Sequence, residues 1–344
     1  MKILVIGLGS MGKRRVRNLL EIKVDKILGY DIREDRRDEA KKLYDIEILN
    51  NFNDAMEQKP DGIIISTSPE THKEYALIAS KSKIPFFTEV NTMSIEDMQK
   101  IIDSLKENQV EAVPSSNVMY HPSVVKIKNL MDSNKIGKIL VFNFHSGSYL
   151  PDWHPWEKLE DYYVFKKETG GGRDQIMWEL SWIFQLFGKP KTVFSTTKKM
   201  GDFKADIFDV YNLQIEFENG TMGNILVDVI QNPPSRYCEI IGTDGTIKWD
   251  YDNKVVKYWN KITKDWAIFP EEEDYKGFTK EKPKVGFASK DEGFVESYID
   301  EMKEFLQIIK GKKPKFTFED EKILLETMFE SEISSEKGIK RNIS

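Results

Sequence analysis

The 344-residue chain contains one cysteine, Cys238, so no internal disulfide can hold it together and a reducing compartment fits. Cys238 lies in a strand-like run and reads as a small core residue. There are only four histidines, none at metal-ligand spacing, and no metal is expected. No apolar run approaches the roughly 18–20 residues of a membrane span. The apolar start, Lys2 followed by Ile3 to Ile6, breaks at Gly7 and meets Lys13, Arg14, Arg15 and Arg17. With no cleavage-like segment, that is a strand and not a signal peptide. Basic and acidic residues nearly balance (51 against 57, net −6) and form no basic stripe, which argues against a nucleic-acid partner. Repeats and low-complexity tracts are also lacking. These absences leave a cytoplasmic globular protein, and its length suggests two domains.

What is present is most informative in the first 31 residues. An apolar run enters Gly7-Leu8-Gly9-Ser10-Met11-Gly12, an amphipathic stretch follows with Val16, Leu19 and Leu20, and a second apolar run ends in Asp31. Strand, glycine turn, helix, strand and terminal acid is the order of a dinucleotide-binding unit. Gly7 permits the tight turn, Gly9 lets a pyrophosphate approach the backbone, and Gly12 lets the helix pack on the sheet. The helix N-terminus offers N–H groups and partial positive charge to phosphates, with Lys13 and Arg14 nearby. Asp31 suits the adenosine ribose hydroxyls and repels a 2′-phosphate, so NAD is favoured over NADP. Arg33 softens that preference.

Up to about residue 120, candidate strands (2–6, 26–30, 46–48, 62–66, 85–88, 111–114) alternate with candidate helices (12–21, 35–43, 53–57, 71–81, 95–107). Alternation of this kind predicts a parallel sheet with helices on both faces. After His121-Pro122 the rhythm changes. A helix at 123–133 precedes strand-like runs at 138–148, 191–199, 208–217, 221–231, 236–242, 245–250, 254–259 and 266–269. Asn219-Gly220 and Asp244-Gly245 are hairpin signals. The second half is therefore expected to be an α+β domain on a largely antiparallel sheet, with helices at 174–187, 291–309 and 319–335. Residues 270–292 read as a long loop or oligomer arm. The expected domains are 1–120 and 121–344.

Several further stretches carry a resemblance. They are Ser66-Thr67-Ser68-Pro69 with His72, Asn117 with His121-Pro122, Lys135-Ile136-Gly137, Gly170-Gly171-Gly172, Glu218-Asn219-Gly220, Ile241 to Gly245, and Tyr298 with Phe305, Gly311 and Pro314. With the opening glycines, they make the whole chain resemble the Gfo/Idh/MocA oxidoreductases. The resemblance implies an N-terminal Rossmann domain and a C-terminal domain whose open sheet serves substrate binding and homodimer or homotetramer contacts. It implies hydride exchange between nicotinamide and a hydroxyl or keto carbon of a sugar. It places the backbone of Thr67 and Ser68 against the cofactor, Glu89 at the nicotinamide-side ribose, and Asn117 and His121 in the nicotinamide pocket. His72 would support the cofactor loop. The cofactor-binding set is thus Gly7, Gly9, Ser10, Met11, Gly12, Arg14, Asp31, Arg33, Thr67, Ser68, His72, Glu89 and Asn117. The stretch 147–157 resembles a subgroup associated with surface sugars, which suggests an amino sugar or nucleotide sugar.

The chain also departs from the family pattern. The usual Glu-Lys-Pro, with its catalytic lysine, reads Glu89-Val90-Asn91 here. The usual histidine after the glycine triplet falls at or near Glu179. Some other group must then move the proton that accompanies hydride transfer. At about 100° per residue, Ile176, Leu180, Ile183, Phe184 and Phe187 form one apolar arc with Glu179 inside it. A carboxylate there is either an acid/base whose proton affinity burial raises, or a structural glutamate bonded to backbone or to an arginine. His154, in a proline-shaped aromatic loop with Trp153, Trp156, Tyr162 and Tyr163, is the second proton-transfer candidate. Tyr149, Trp153 and Tyr163 offer ring faces and polar tips to a sugar. Arg173 offers a fork to a substrate carboxylate or phosphate. His121 completes the substrate set. Two other readings stay open: an NAD-recycling lyase or hydrolase of the same family, and a non-catalytic NAD-binding regulator.

Overall fold

The computed structural model describes residues 1–155, 158–161, 163–270 and 292–343. The loop or arm expected at 270–292 lies almost wholly outside them, as do Trp156, Glu157 and Tyr162.

The chain forms two compact units, Met1–Asn117 with Tyr298–Lys322, and Val118–Ser297 with Ile323–Ser344. In the first, β1 (Lys2–Ile6), α1 (Ser10–Glu21), β2 (Lys26–Tyr30), α2 (Glu34–Leu43), β3 (Glu47–Ile48), α3 (Phe52–Glu57), β4 (Gly62–Ile65), α4 (Pro69–Lys81), β5 (Phe86–Thr88), α5 (Ile95–Asn108) and β6 (Ala112–Pro114) follow in turn. The six strands pair in parallel in the order β3-β2-β1-β4-β5-β6, a Rossmann sheet. Ile63, Ile64 and Ile65 are all buried because helices cover both sheet faces.

The second unit begins with α6 (Pro122–Asp132), β7 (Ile139–Tyr149) and α7 (Gly172–Phe187). β8 (Pro190–Lys198), β9 (Val210–Phe217), β10 (Met222–Asp228), β11 (Ile230–Gly242), β12 (Gly245–Asp250), β13 (Val255–Asn260) and β14 (Asp265–Pro270) follow. α8 (Glu292–Ile309), α9 (Phe318–Lys337) and β15 (Arg341–Asn342) close the chain. The sheet order is β14-β13-β12-β11-β7-β10-β9-β8-β15. Its pairings are antiparallel except β7 with β10, so the expected largely antiparallel sheet is mixed at one place. Phe142 stacks on Phe187 at 3.8 Å between ring centroids, and Phe144 meets Trp182 edge-on, which seats α7 on one face.

Two of the differences from sequence expectation concern how the chain is divided. The run expected at 221–231 is broken, because the Asp228 carboxylate accepts from the N–H groups of Ile230 and Gln231 and turns the chain. The first unit also takes 298–322, which the linear division left in the second. Met302 and Phe305 pack in one core with Ile3, Val5, Leu8, Val16, Leu19 and Phe87, so burial and not chain order decides their allegiance.

Candidate active site

In the first unit, β1 ends beneath a turn that only glycine can make. Gly7 has φ +88°, and a Cβ there would lie 2.5 Å from the Ser66 carbonyl oxygen. A Cβ on Gly12 would lie 1.7 Å from the Gly7 oxygen, so α1 presses directly on the turn. Gly9 precedes α1 without a side-chain cap, and its first turn, with Ser10 and Met11, holds no acidic residue. No side chain therefore competes with a phosphate for the first-turn N–H groups. The turn stands between β1 and β4, where the strand order reverses.

Asp31 is buried at the end of β2. Its Oδ2 accepts from Leu8 N–H (2.7 Å) and its Oδ1 from Arg33 N–H (2.8 Å), so the carboxylate ties the glycine turn to the second strand. Each oxygen retains a further lone pair for a ribose hydroxyl. Arg33 pairs with Asp35. Arg36, which sequence reasoning missed, reaches within 3.8 Å of Asp31 Oδ2, and its Nη1 lies 3.3 Å from the Cβ position of Gly9. Arg14 sets its guanidinium 4.4 Å from the Tyr298 ring centroid, where burial lowers its pKa.

Glu89, just past β5, is bound in a fork by Arg15: Nε to Oε1 and Nη2 to Oε2, each 2.7 Å. Ser66 Oγ donates to the same carboxylate at 2.9 Å. Arg15 Nη1 donates to Glu301 (2.7 Å), which also accepts from Ser115 Oγ and Ser116 N–H. Burial opposes charge on Arg15, yet Glu89 and Glu301 outweigh it and hold its pKa above the ordinary value. Burial raises the Glu301 pKa, offset in part by Arg15. Arg15 was missed although it lies on the Val16 and Leu19 stripe of α1, the same test that singled out Glu179. Thr67 and Ser68 lead into α4. The Thr67 carbonyl faces His72 Nε2 at 3.0 Å, and the wholly buried His72 faces the Asn91 amide through Nδ1 at 2.8 Å. Asn117 is buried at the end of the unit's first segment.

In the second unit, Glu179 is fully buried and both oxygens are occupied. Oε1 accepts from Arg236 Nη2 (2.5 Å) and Gln175 Nε2 (2.9 Å), and Oε2 from Trp182 Nε1 (2.8 Å). Of the two sequence readings, the geometry is that of the glutamate bonded to an arginine. The Arg236 guanidinium lies 4.7 Å from the Trp178 ring centroid, 5.3 Å from Phe294 and 5.6 Å from Tyr251. Among the described residues its Nε and Nη1 are buried without a hydrogen-bond partner. Strand alternation could have found Arg236, which shares the inner face of β11 with Cys238 and Ile240. Burial pushes the Cys238 thiol up, as expected of a core residue.

His121 is buried beside the same rings, 4.8 Å from Phe294 and 5.6 Å from Trp249, and its Nδ1 accepts from Ser123 N–H at the start of α6. A capping and packing role accounts for this placement better than direct substrate contact. Trp153 donates to Ser148 Oγ (3.0 Å) and packs with Tyr163 on Leu150, Val164 and Val229. Tyr149 faces Phe203. Tyr163 OH donates to Asp174 at 3.3 Å, which brings this loop to the start of α7. Arg173 is held there by a fork on Glu332, both contacts 2.7 Å, while Tyr211 OH donates to the same carboxylate. Arg173 is thus already paired. His154 is half-buried in the turn after Leu150–Asp152.

Two family models match this chain. Residues 1–115 fit the oxidoreductase family with NAD-binding Rossmann fold, and residues 124–248 fit the GFO/IDH/MocA C-terminal domain. The chain belongs to the Gfo/Idh/MocA oxidoreductase family. It is 25% identical over 195 residues to 2,7-anhydro-N-acetylneuraminate hydratase of Escherichia coli (strain K12), covering 55% of this chain and 51% of that protein. It is 27% identical over 146 residues to glucose-6-phosphate 3-dehydrogenase of Bacillus subtilis (strain 168), covering 42% and 41%. The chain thus spans about half or less of the length of these curated relatives. Levoglucosan dehydrogenase in complex with NADH shares the fold, with a TM-score of 0.85 at 17% identity over 100% of this chain and 99% of that one. The stretch Glu89-Val90-Asn91 is anchored at its last residue. Asn91 is wholly buried and bound by Thr88 and Glu321 as well as His72.

Proposed function

We propose that this Gfo/Idh/MocA protein is an NAD-dependent oxidoreductase acting on a hydroxyl or keto carbon of a sugar, amino sugar or nucleotide sugar. The observation that carries the reading is the side-chain-free cradle of Gly7, Gly9 and Gly12 at the uncapped start of α1, with Asp31 and Glu89 fixed on either side. Bound NAD would supply the hydride exchange. Gly9 and the first turn of α1 hold its pyrophosphate, Asp31 the adenosine ribose, and Glu89 the second ribose. NADH fluorescence titration tests this directly. Binding at least ten-fold tighter than NADPH is expected, and no binding of either removes the reading.

Proton transfer falls to His154. Val90 has no titratable group, whereas Glu179 and His121 are buried among fixed partners. Tyr149, Trp153 and Tyr163 line the sugar side, and Arg173, held by Glu332, donates to the Glu168 carbonyl that follows that loop. A His154→Ala variant should lose about 10²-fold or more in kcat, with NADH affinity unchanged.

A second reading is supported by Val90, which by the family resemblance stands where a catalytic lysine would, together with the relative named a hydratase. Retained NAD would then be recycled within an elimination or hydration. Cofactor that co-purifies, with substrate consumed at constant NADH absorbance, distinguishes this from net oxidation. The open face of the sheet exposes Met222, Tyr237, Ile241 and Phe194, which supports self-association there as a homodimer or homotetramer. Tyr237→Asp should lower the mass measured by sedimentation.

A further inference from the structure

The stretch after β2 carries Arg33, Arg36 and Arg37, and the structure uses them differently. Arg33 grips Asp35 in a fork, Nε to Oδ1 at 3.0 Å and Nη2 to Oδ2 at 2.6 Å. Arg37 Nη1 donates to the carbonyl oxygens of Asp31 (2.7 Å) and Ile32 (3.1 Å) and so clamps the turn into α2. Lys13 of α1 is paired with Glu39 of α2 at 2.6 Å. Among the described residues the Arg36 guanidinium donates no hydrogen bond. Its ion-pair contact is with Asp31, Nη1 to Oδ2 at 3.8 Å, which is beyond hydrogen-bond reach.

Arg36 also lies along the glycine turn. Its Nη1, Cζ and Nη2 are 3.3, 3.6 and 3.9 Å from the Cβ position of Gly9, in room that a side chain at residue 9 would take. On the other side stands Asp31, whose oxygens accept from Leu8 and Arg33 N–H groups and keep a lone pair each. Arg36 is 36% exposed and Ile32, next to Asp31, is 82% exposed, so a ligand can reach this corner from solvent. A ribose with two free hydroxyls needs the carboxylate alone and brings no charge for the guanidinium to meet. A ribose 2′-phosphate brings close to two negative charges and three acceptor oxygens, which suit the planar fork of an arginine. Asp31 by itself repels such a group. Asp31 and Arg36 together offer it one charge of each sign at similar range.

We propose that Arg36 sets how strongly the site discriminates between NADH and NADPH. Its guanidinium pairs with the 2′-phosphate and offsets the repulsion from Asp31, so NADPH binds measurably, though more weakly than NADH. Arg33, expected from sequence to soften the preference, is held by Asp35. This role rests on the cofactor reading above.

The test measures NADH and NADPH binding by fluorescence titration in the wild type and in Arg36→Ala. That change removes no hydrogen bond, and the variant should melt within about 2 °C of the wild type. Wild-type NADPH should bind about ten- to thirty-fold more weakly than NADH. In Arg36→Ala the ratio of the two Kd values should widen at least about ten-fold further, the loss of a charge-assisted hydrogen bond. Adenosine 2′,5′-bisphosphate, followed by calorimetry, should lose about the same factor relative to 5′-AMP. Three results overturn the proposal: no NADPH binding to a wild type that binds NADH, a ratio that Arg36→Ala leaves within two-fold, or a parallel loss of both dinucleotides, which puts Arg36 on the pyrophosphate. No NADH binding to the wild type removes the cofactor reading instead. The bisphosphate needs no nicotinamide, and its comparison with 5′-AMP still decides whether Arg36 takes a 2′-phosphate.

Discussion

Replacing Glu179 by glutamine separates a structural carboxylate from a proton-transfer group. The change keeps shape and one acceptor but removes the charge that faces Arg236. Arg236 is 2% exposed, its Nε and Nη1 have no hydrogen-bond partner among the described residues, and besides Glu179 it meets Ser146 Oγ at 3.4 Å and three aromatic rings. A buried cation that loses its counter-ion costs about 3–5 kcal/mol, whereas replacing both partners by apolar groups of similar volume is close to neutral. The second unit has roughly 200 residues, for which each kcal/mol moves the midpoint about 2–4 °C. Glu179→Gln and Arg236→Met should each lower Tm by ~10 °C, measured by circular dichroism at pH 7. The double variant Glu179→Leu/Arg236→Met should recover most of the loss. If Glu179→Gln melts within about 2 °C of the wild type while kcat falls 10²-fold or more, the structural reading is refuted and Glu179 moves the proton.

Three other outcomes follow from the first unit. Gly12→Ala puts a Cβ 1.7 Å from the Gly7 oxygen and should abolish NADH binding in a fluorescence titration, because α1 must back away from the turn. Arg15→Met strands Glu89 and Glu301 without their shared cation, and should cost about 3–5 kcal/mol in urea unfolding while weakening NADH binding. Glu321 has a folded pKa of about 8 against 4.5 for the free side chain, so the folded state binds the proton more tightly. Its contribution is complete below pH 4.5 and is lost as pH rises to 8, by at most about 1.4 kcal/mol per unit. Urea unfolding across that range should show this slope in the wild type and a shallower one in Glu321→Gln.

The dinucleotide half was legible because its signals are local. Gly7, Gly9 and Gly12 are demanded by backbone clearances within a few residues, and Asp31 reaches the turn from the next strand. The carboxylate on the apolar stripe of α7 was legible too, but not its partner, since Arg236 lies 57 positions away across the sheet. Arg15 escaped for a related reason. In sequence it is one of a run of basic residues, whereas Glu301, 286 positions on, draws it into the core. The strand run at 221–231 was misjudged because the Asp228 turn is a side-chain event that hydrophobic periodicity does not register.

Composition, glycine spacing and the alternation of apolar runs were enough to determine a Rossmann unit followed by an α+β unit on a largely antiparallel sheet. These depend on near neighbours and on burial, which a linear pattern records. The identity of each buried ionisable group's partner was left to the tertiary structure: Arg236 for Glu179, Glu89 and Glu301 for Arg15, Asn91 for Glu321. Such pairs form between residues far apart in sequence, because a desolvated charge needs a counter-charge or a donor wherever the fold brings one.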